Sequence, residues 1–326
     1  MSRLIKRNKN KFITFDKLRL HSAEKNSDWN EKIFKSFLNS ITQDDIKYYP
    51  NNQNLYERIA QYFKVSVENI ILCHGSDRAI KYFFESNNEY NSLLVSKPTY
   101  PMYKVYGELV GMEIQEIEYE SLEFPIDKYL NKITPESVCV FSNPNTPIAD
   151  LISTKSVKSI LDYNIPTLVD ECYSDFSENF ESFVPYIDDY ENLFVCKSFS
   201  KSFGSAGVRF GIIFSSKKNI QNMLQYRDVH ELNGLTIKWI DTLLNNIKSV
   251  EEYIYKVKCV KDILITKLKQ KNYDNIKTDS NWIYIQGDYE IPNNIVLRDF
   301  EFPSKTGKWL RLQVTDDIND YNWILL

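Results

Sequence analysis

Several residues that can do chemistry stand directly after short apolar runs. Thr167-Leu168-Val169 ends in Asp170-Glu171-Cys172-Tyr173, and in an open α/β sheet this places a carboxylate where ligands collect, beyond the carboxyl ends of strands. Leu193-Phe194-Val195-Cys196 leads into Lys197, Ser198, Ser200, Lys201 and Arg209, with Gly204, Gly207 and Gly211 interspersed. Hydroxyls and fixed cations among small residues suit a phosphorylated ligand, and a solvated basic loop would have the same composition. A third run, Asn69-Ile70-Ile71-Leu72-Cys73, ends in His74-Gly75-Ser76-Asp77. Glycine permits close backbone approach, and the free N–H groups of a helix start can bind phosphate. An ordinary N-cap at Ser76 or Asp77 gives the same pattern.

The elements that must position these residues follow from hydrophobic spacing. Leu55–Phe63 and Asp77–Phe84 carry helical periodicity, and further apolar runs fall at 92–95, 137–141 and 210–214. Short apolar runs separated by helix-length segments are what a parallel or mixed sheet buried on both faces requires. The spacing therefore predicts an α/β fold, a three-layer α/β/α sandwich with a mixed, mostly parallel sheet. After Lys217 come helical patterns over 237–247 and 250–271, then strands at 282–285 and 309–314. This change predicts a smaller α+β domain. The expected division is a large domain over 45–220, with 1–44 and 221–326 forming the small one.

Composition narrows the function classes. The 326 residues carry 40 Lys+Arg against 44 Asp+Glu, a formal net charge of −4, so no electrostatic footprint for nucleic acid or an anionic membrane exists. Three histidines and five cysteines, all far apart along the chain, form no zinc or CxxC motif and no disulfide framework, which fits a reducing cytoplasm. The start, Met1 to Lys11, is basic without a following apolar region, unlike a secretory signal. No apolar stretch approaches the roughly 20 residues that span a bilayer. Small-molecule partners remain, with no nucleic acid, membrane or metal called for.

Read together and in order, these motifs resemble the fold-type I aminotransferases that depend on pyridoxal 5'-phosphate (PLP), and most closely the histidinol-phosphate aminotransferase group. The match includes Tyr48-Tyr49-Pro50, Gly75-Ser76-Asp77, Pro98-Thr99-Tyr100-Pro101-Met102-Tyr103, Asn143-Pro144-Asn145-Thr146-Pro147, Asp170-Glu171-Cys172-Tyr173, Ser198-Phe199-Ser200-Lys201, Gly207-Val208-Arg209-Phe210-Gly211 and Trp309-Leu310-Arg311-Leu312. The resemblance implies that Lys201 holds the cofactor aldehyde as a Schiff base and then serves as general base. Lys197 is the local competitor. By the same resemblance Asp170 keeps the pyridine nitrogen protonated, Tyr173 and Asn145 (or Asn143) meet the phenolic oxygen, and Tyr100 stacks on the ring. Gly75, Ser76, Asp77, Ser198, Ser200 and Arg209 take the phosphate. Tyr49 reaches the phosphate of a neighbouring subunit, implying a homodimer with shared sites. Arg311 grips the substrate α-carboxylate, and the segment around Glu24 lines the substrate pocket.

The chain departs from the family pattern in places. After Asn145 it reads Thr146-Pro147-Ile148-Ala149 where Asn-Pro-Thr-Gly is usual, and Cys172 replaces an alanine. The stretch at Ser22–Asn26 differs from the usual Asn-Glu-Asn-Pro, which points away from histidinol phosphate and towards another small phosphorylated substrate. The sequence stops at Trp323-Ile324-Leu325-Leu326, where a closing amphipathic helix is expected to begin. The expected activity is transfer of an amino group from a donor such as glutamate. The alternatives are decarboxylation of a phosphorylated amino acid and a non-catalytic protein of the same fold.

Overall fold

The computed structural model of the chain describes residues 16–302 and 306–325, so the basic start at Met1–Lys11 lies outside it. Strands are numbered in chain order: β1 (Leu18–Arg19), β2 (Ile70–Cys73), β3 (Ser92–Lys97), β4 (Glu113–Glu118), β5 (Ser137–Ser142), β6 (Thr167–Asp170), β7 (Leu193–Ser198), β8 (Gly211–Ser215), β9 (Asn275–Lys277), β10 (Trp282–Gln286), β11 (Ile295–Val296), β12 (Arg298–Phe300) and β13 (Trp309–Gln313).

Seven strands form one sheet in the order β2-β8-β7-β6-β5-β3-β4. All neighbours from β7 to β4 are parallel, and β8 runs antiparallel to both β7 and β2. The expected mixed, mostly parallel sheet is present. Every residue of β2, β5, β6, β7 and β8 is buried, because successive side chains enter cores on opposite faces. Leu72, Phe141, Val169, Val195 and Ile212 join one core, with the helices Gln53–Phe63 and Thr154–Leu161. Their neighbours Ile71, Val140, Leu168, Phe194 and Ile213 join the other, with the helices Ser76–Ser86 and Pro101–Leu109. The result is three layers.

A second, antiparallel sheet has the order β12-β13-β10-β9. Its inward residues Ile283, Ile285, Leu310 and Leu312 pack on Tyr253, Val257, Leu264 and Leu268 of the long helix Ile247–Gln270, forming the expected smaller α+β body. The helices Glu31–Ser40 and Gly234–Asn245 lie outside 45–220 in sequence. Their residues Ile33, Ile237, Trp239 and Ile240 nevertheless sit in the core of the large sheet. Between the two bodies runs the segment after β1, which pairs parallel with β11.

Register brings the chemistry together. Ser142, Asp170 and Cys196 are successive partners across β5, β6 and β7, so their carboxyl ends form one edge. Because β8 lies beside β2, Gly211 opposes Cys73 and touches the turn at Gly75. A Cβ on Gly211 would meet the Gly75 carbonyl carbon at 2.4 Å and the Ser76 nitrogen at 2.5 Å. Gly211→Ala is expected to cost about 3 kcal/mol in a denaturant-unfolding measurement.

Candidate active site

The carboxyl edge of the large sheet opens into a cleft of about 680 Å³ bordered by Lys201, Asp170, Tyr173, Tyr100, Ser200 and Arg209 among others. Asp170 ends β6 and is buried. Its Oδ2 accepts from the Tyr103 hydroxyl at 2.8 Å and its Oδ1 from the Cys172 amide at 3.0 Å. Burial pushes its carboxyl above the usual range, while these hydrogen bonds pull the other way. A cation placed against it would recover that desolvation cost. Tyr103 belongs to the matching motif but carried no expected role. Its signal was helical spacing, three residues after Tyr100 at the helix start.

The two lysines have separate fates. Lys197, on β7, is buried, and its Nζ lies 3.0 Å from Glu171 Oε2, 3.0 Å from Ser174 Oγ and 3.8 Å from Asp175. Burial alone would lower its pKa, but Glu171 and Asp175 outweigh it and hold the ammonium above its ordinary value. Glu171 is also held, by the Ser182 hydroxyl at 2.7 Å and the Phe183 amide at 2.6 Å. Lys197 is therefore locked beneath the cleft. Lys201 lines the cleft, where its Nζ donates to the Ser22 carbonyl at 2.7 Å and lies 5.4 Å from the Tyr173 ring centroid.

The side of the cleft expected to take a phosphate is built from backbone as much as from side chains. Gly75, at φ +79°, begins the helix Ser76–Ser86, whose first N–H groups have no partner within the helix. Arg209 adopts the left-handed conformation (φ 58°) and lays its guanidinium over Gly75, where a Cβ would stand 2.5 Å from Nη2. Arg209 Nη1 donates to Ser200 Oγ at 3.3 Å, and Nη2 lies 3.4 Å from Asp77 Oδ2. The other Asp77 oxygen accepts from the Tyr100 hydroxyl at 2.7 Å. Ser198 Oγ accepts from the Ser200 amide at 3.1 Å. Gly75, Ser76, Asp77, Ser198, Ser200 and Arg209 are thus brought together.

Asn145, expected at the phenolic oxygen, does not border the cleft: its Nδ2 donates to the Tyr119 hydroxyl at 2.8 Å. Asn143 is closed as well, bonding Ile152 through both amide atoms. The residue of this loop that faces the cleft is Thr146, whose buried Oγ1 has no hydrogen-bond partner. The departure after Asn145 was the available signal. Tyr49 does not border the cleft of its own chain: it is 80% exposed and stacks on His230, with ring centroids 4.0 Å apart.

On the substrate side, Tyr173 meets Trp282 edge to face, with centroids 4.9 Å apart. Arg311 is buried behind them, 5.0 Å from the Trp282 ring, and donates to the His21 carbonyl at 2.5 Å. Burial lowers its pKa. Glu24 lines the cleft and pairs with Arg19 at 2.9 Å. Arg19 stands in the sequence Leu18-Arg19-Leu20 ahead of Glu24 but carries no expected role, and neither does Arg298, which opposes Arg311 in the β12–β13 register. The cysteines, though far apart in sequence, partly converge: a carboxylate oxygen of Asp170 and the sulfurs of Cys172 and Cys196 all lie within 4.8 Å of one another.

The site combines a cleft amine, a buried carboxylate bordering the same cleft and helix-start amides beside an arginine, the constellation that a pyridoxal-type cofactor needs. The unpartnered Thr146 hydroxyl and the glycine beneath Arg209 fit such a group. Residues 16–317 match the family described as aminotransferase class I and II, and the chain belongs to that family. PLP is its cofactor. The chain is 30% identical to a histidinol-phosphate aminotransferase of Clostridium botulinum over 292 residues, 86% of this chain and 80% of that one. Among solved structures, the fold is similar to a histidinol-phosphate aminotransferase of Sinorhizobium meliloti in complex with pyridoxal-5'-phosphate, at a TM-score of 0.83 and 15% identity over 94% of this chain and 89% of that one. It is also similar to an L-threonine-O-3-phosphate decarboxylase of Porphyromonas gingivalis, at 0.77 and 16% over 94% and 97%.

The two lysines separate stability from cofactor attachment. Lys197→Met leaves Glu171 buried and unpaired, and is expected to cost roughly 3–5 kcal/mol in denaturant unfolding. Lys201→Ala should stay within about 1 kcal/mol of the parent, yet lose covalent cofactor capture, read by mass spectrometry after borohydride reduction.

Proposed function

We propose that the chain moves an amino group between an amino-acid donor such as glutamate and a small phosphorylated carbonyl compound. The carrying observation is the cleft shared by Lys201, Asp170, Tyr173 and Arg209, with Lys197 held beneath it by its own ion pairs. Bound there, PLP supplies an aldehyde for the amino group and a ring that takes up electrons. Asp170 would face the ring nitrogen, and Tyr173 with Thr146 the phenolic oxygen. Tyr100 would pack on the ring. The amides of Ser76 and Asp77, the hydroxyls of Ser198 and Ser200, and Arg209 would hold the phosphate. Lys201 is the residue that takes the substrate α-proton and returns it. Arg311 receives the substrate's α-carboxylate, replacing its bond to the His21 carbonyl. Support for a phosphorylated substrate comes from the relatives' names and from the cations Lys17 and Arg19 around the cleft.

The active unit is a homodimer on this reading. Ile46, Tyr48, Tyr49, Val229 and Leu235 are exposed large apolar residues, a set that a second copy would cover. Tyr49 would then be free to reach the partner's phosphate nest. We place the enzyme in the cytoplasm, since its cysteines are free and no described helix is long and apolar enough to cross a membrane.

Two measurements test these statements. Glutamate added to the cofactor-loaded protein should bleach the bound cofactor's visible absorbance and release a keto acid. Carbon dioxide from a phosphorylated amino acid would favour decarboxylation instead, and no response to any amine would refute both. In sedimentation, the parent should run as a dimer. The Ile46→Glu, Val229→Glu double variant should run as a monomer and bind cofactor about tenfold more weakly through loss of the shared tyrosine contact.

A further inference from the structure

The segment from Lys17 to Asn26 is tied to the small sheet at two points. Leu20 is fully buried in the small core, Gln313 donates its amide to the Leu20 carbonyl, and its side chain binds the Glu24 carbonyl. Between those anchors the carbonyls of His21 and Ser22 accept from Arg311 and Lys201. These are the residues assigned above to the substrate's α-carboxylate and to the cofactor. The backbone of this segment thus runs directly between the anchor of the α-anion and the reactive amine. The side chains at its two ends, Arg19 and Glu24, border the space left for the rest of the substrate.

We propose that Arg19 recognises the distal anion of the substrate, a carboxylate or phosphate, and that Glu24 is the internal counter-ion which that group displaces. The inference rests on the amino-transfer reading and deepens it by fixing the substrate class as molecules anionic at both ends. Arg19 Nη2 lies 3.0 Å from Glu24 Oε1 and 2.9 Å from Oε2, so the guanidinium already holds an oxyanion inside the cleft. The side chains are 23% and 27% exposed, and a part-exposed pair contributes little net stability. Exchange for an incoming carboxylate or phosphate is therefore cheap, because the new oxyanion meets the same guanidinium while Glu24 turns to solvent. A neutral side chain offers Arg19 nothing in return for Glu24. Lys25 does not compete for the role. Its ammonium is occupied by Ser27, by the Asp28 carbonyl at 3.1 Å and by Asp316 at 3.8 Å.

The test compares binding of glutarate and butyrate to the cofactor-loaded protein by calorimetry, for the parent, Arg19→Gln and Glu24→Gln. The parent should bind glutarate more tightly than butyrate. Arg19→Gln should weaken glutarate roughly 10- to 100-fold while shifting butyrate much less, and Glu24→Gln should strengthen glutarate, since the Glu24 carboxylate no longer has to be displaced. Opposite signs for the two variants separate recognition from a structural tie. If both variants move glutarate in the same direction, or if the parent does not distinguish the two acids, the inference is overturned. Failure of the amino-transfer reading shows separately, as no keto acid from any amino donor with the parent.

Discussion

The site depends on the ion pair that removes Lys197 from the chemistry. Side chains along a strand alternate between faces, so Asp170 and Glu171 leave the end of β6 on opposite sides. Asp170 meets the cleft and Glu171 the layer beneath it. Glu171 there captures Lys197, 3.0 Å away, and two potential acid–base sets are sorted by a single backbone periodicity. Without that sorting, two lysines four residues apart would both be candidates for the cofactor. With it, Lys201 is the lysine of this pair whose amine lines the cleft, and Asp170 faces the cleft as a buried carboxylate with its own donors.

Sheet topology brings a second set of groups together. Inserting β8 between β2 and β7 brings Gly211 against Gly75, and the residue two before Gly211 is Arg209. Its left-handed backbone turns the guanidinium across the start of the helix Ser76–Ser86. Backbone amides and a cation then converge on one small volume, and both close approaches occur where the chain has glycine.

Much of this was legible in the sequence, for an identifiable reason. The strands β2, β3, β5, β6, β7 and β8 are continuous apolar runs because both faces of the sheet are covered, and burial on both faces is what such runs encode. The edge strand β4 was not legible. Its sequence Glu113-Ile114-Gln115-Glu116-Ile117-Glu118 buries only Ile117 and spends its charges on Lys97 and Lys104. The site residues were legible as an ordered set of motifs, and the loop at 143–149 shows where that reading stops. Order along the chain does not say which side of a turn faces the cleft. Tyr119 decides it by binding Asn145 from behind, leaving Thr146 in front. Nor does the pattern of a helix reveal which body it packs on, as the helix Gly234–Asn245 shows by joining the large core.

The segment between β1 and the helix Glu31–Ser40 links the two bodies energetically. Leu20 belongs to the core of the small sheet, while Trp29 donates to the Gly204 carbonyl in the loop after β7 at 3.3 Å. Ala23 lies between them at φ 56°, a left-handed conformation that costs a residue with a side chain on the order of 1 kcal/mol. That conformation persists because it turns the His21 and Ser22 carbonyls onto Arg311 and Lys201, satisfying two cations at once. The same short segment therefore ties the small sheet, through Arg311, to the loop that carries Lys201.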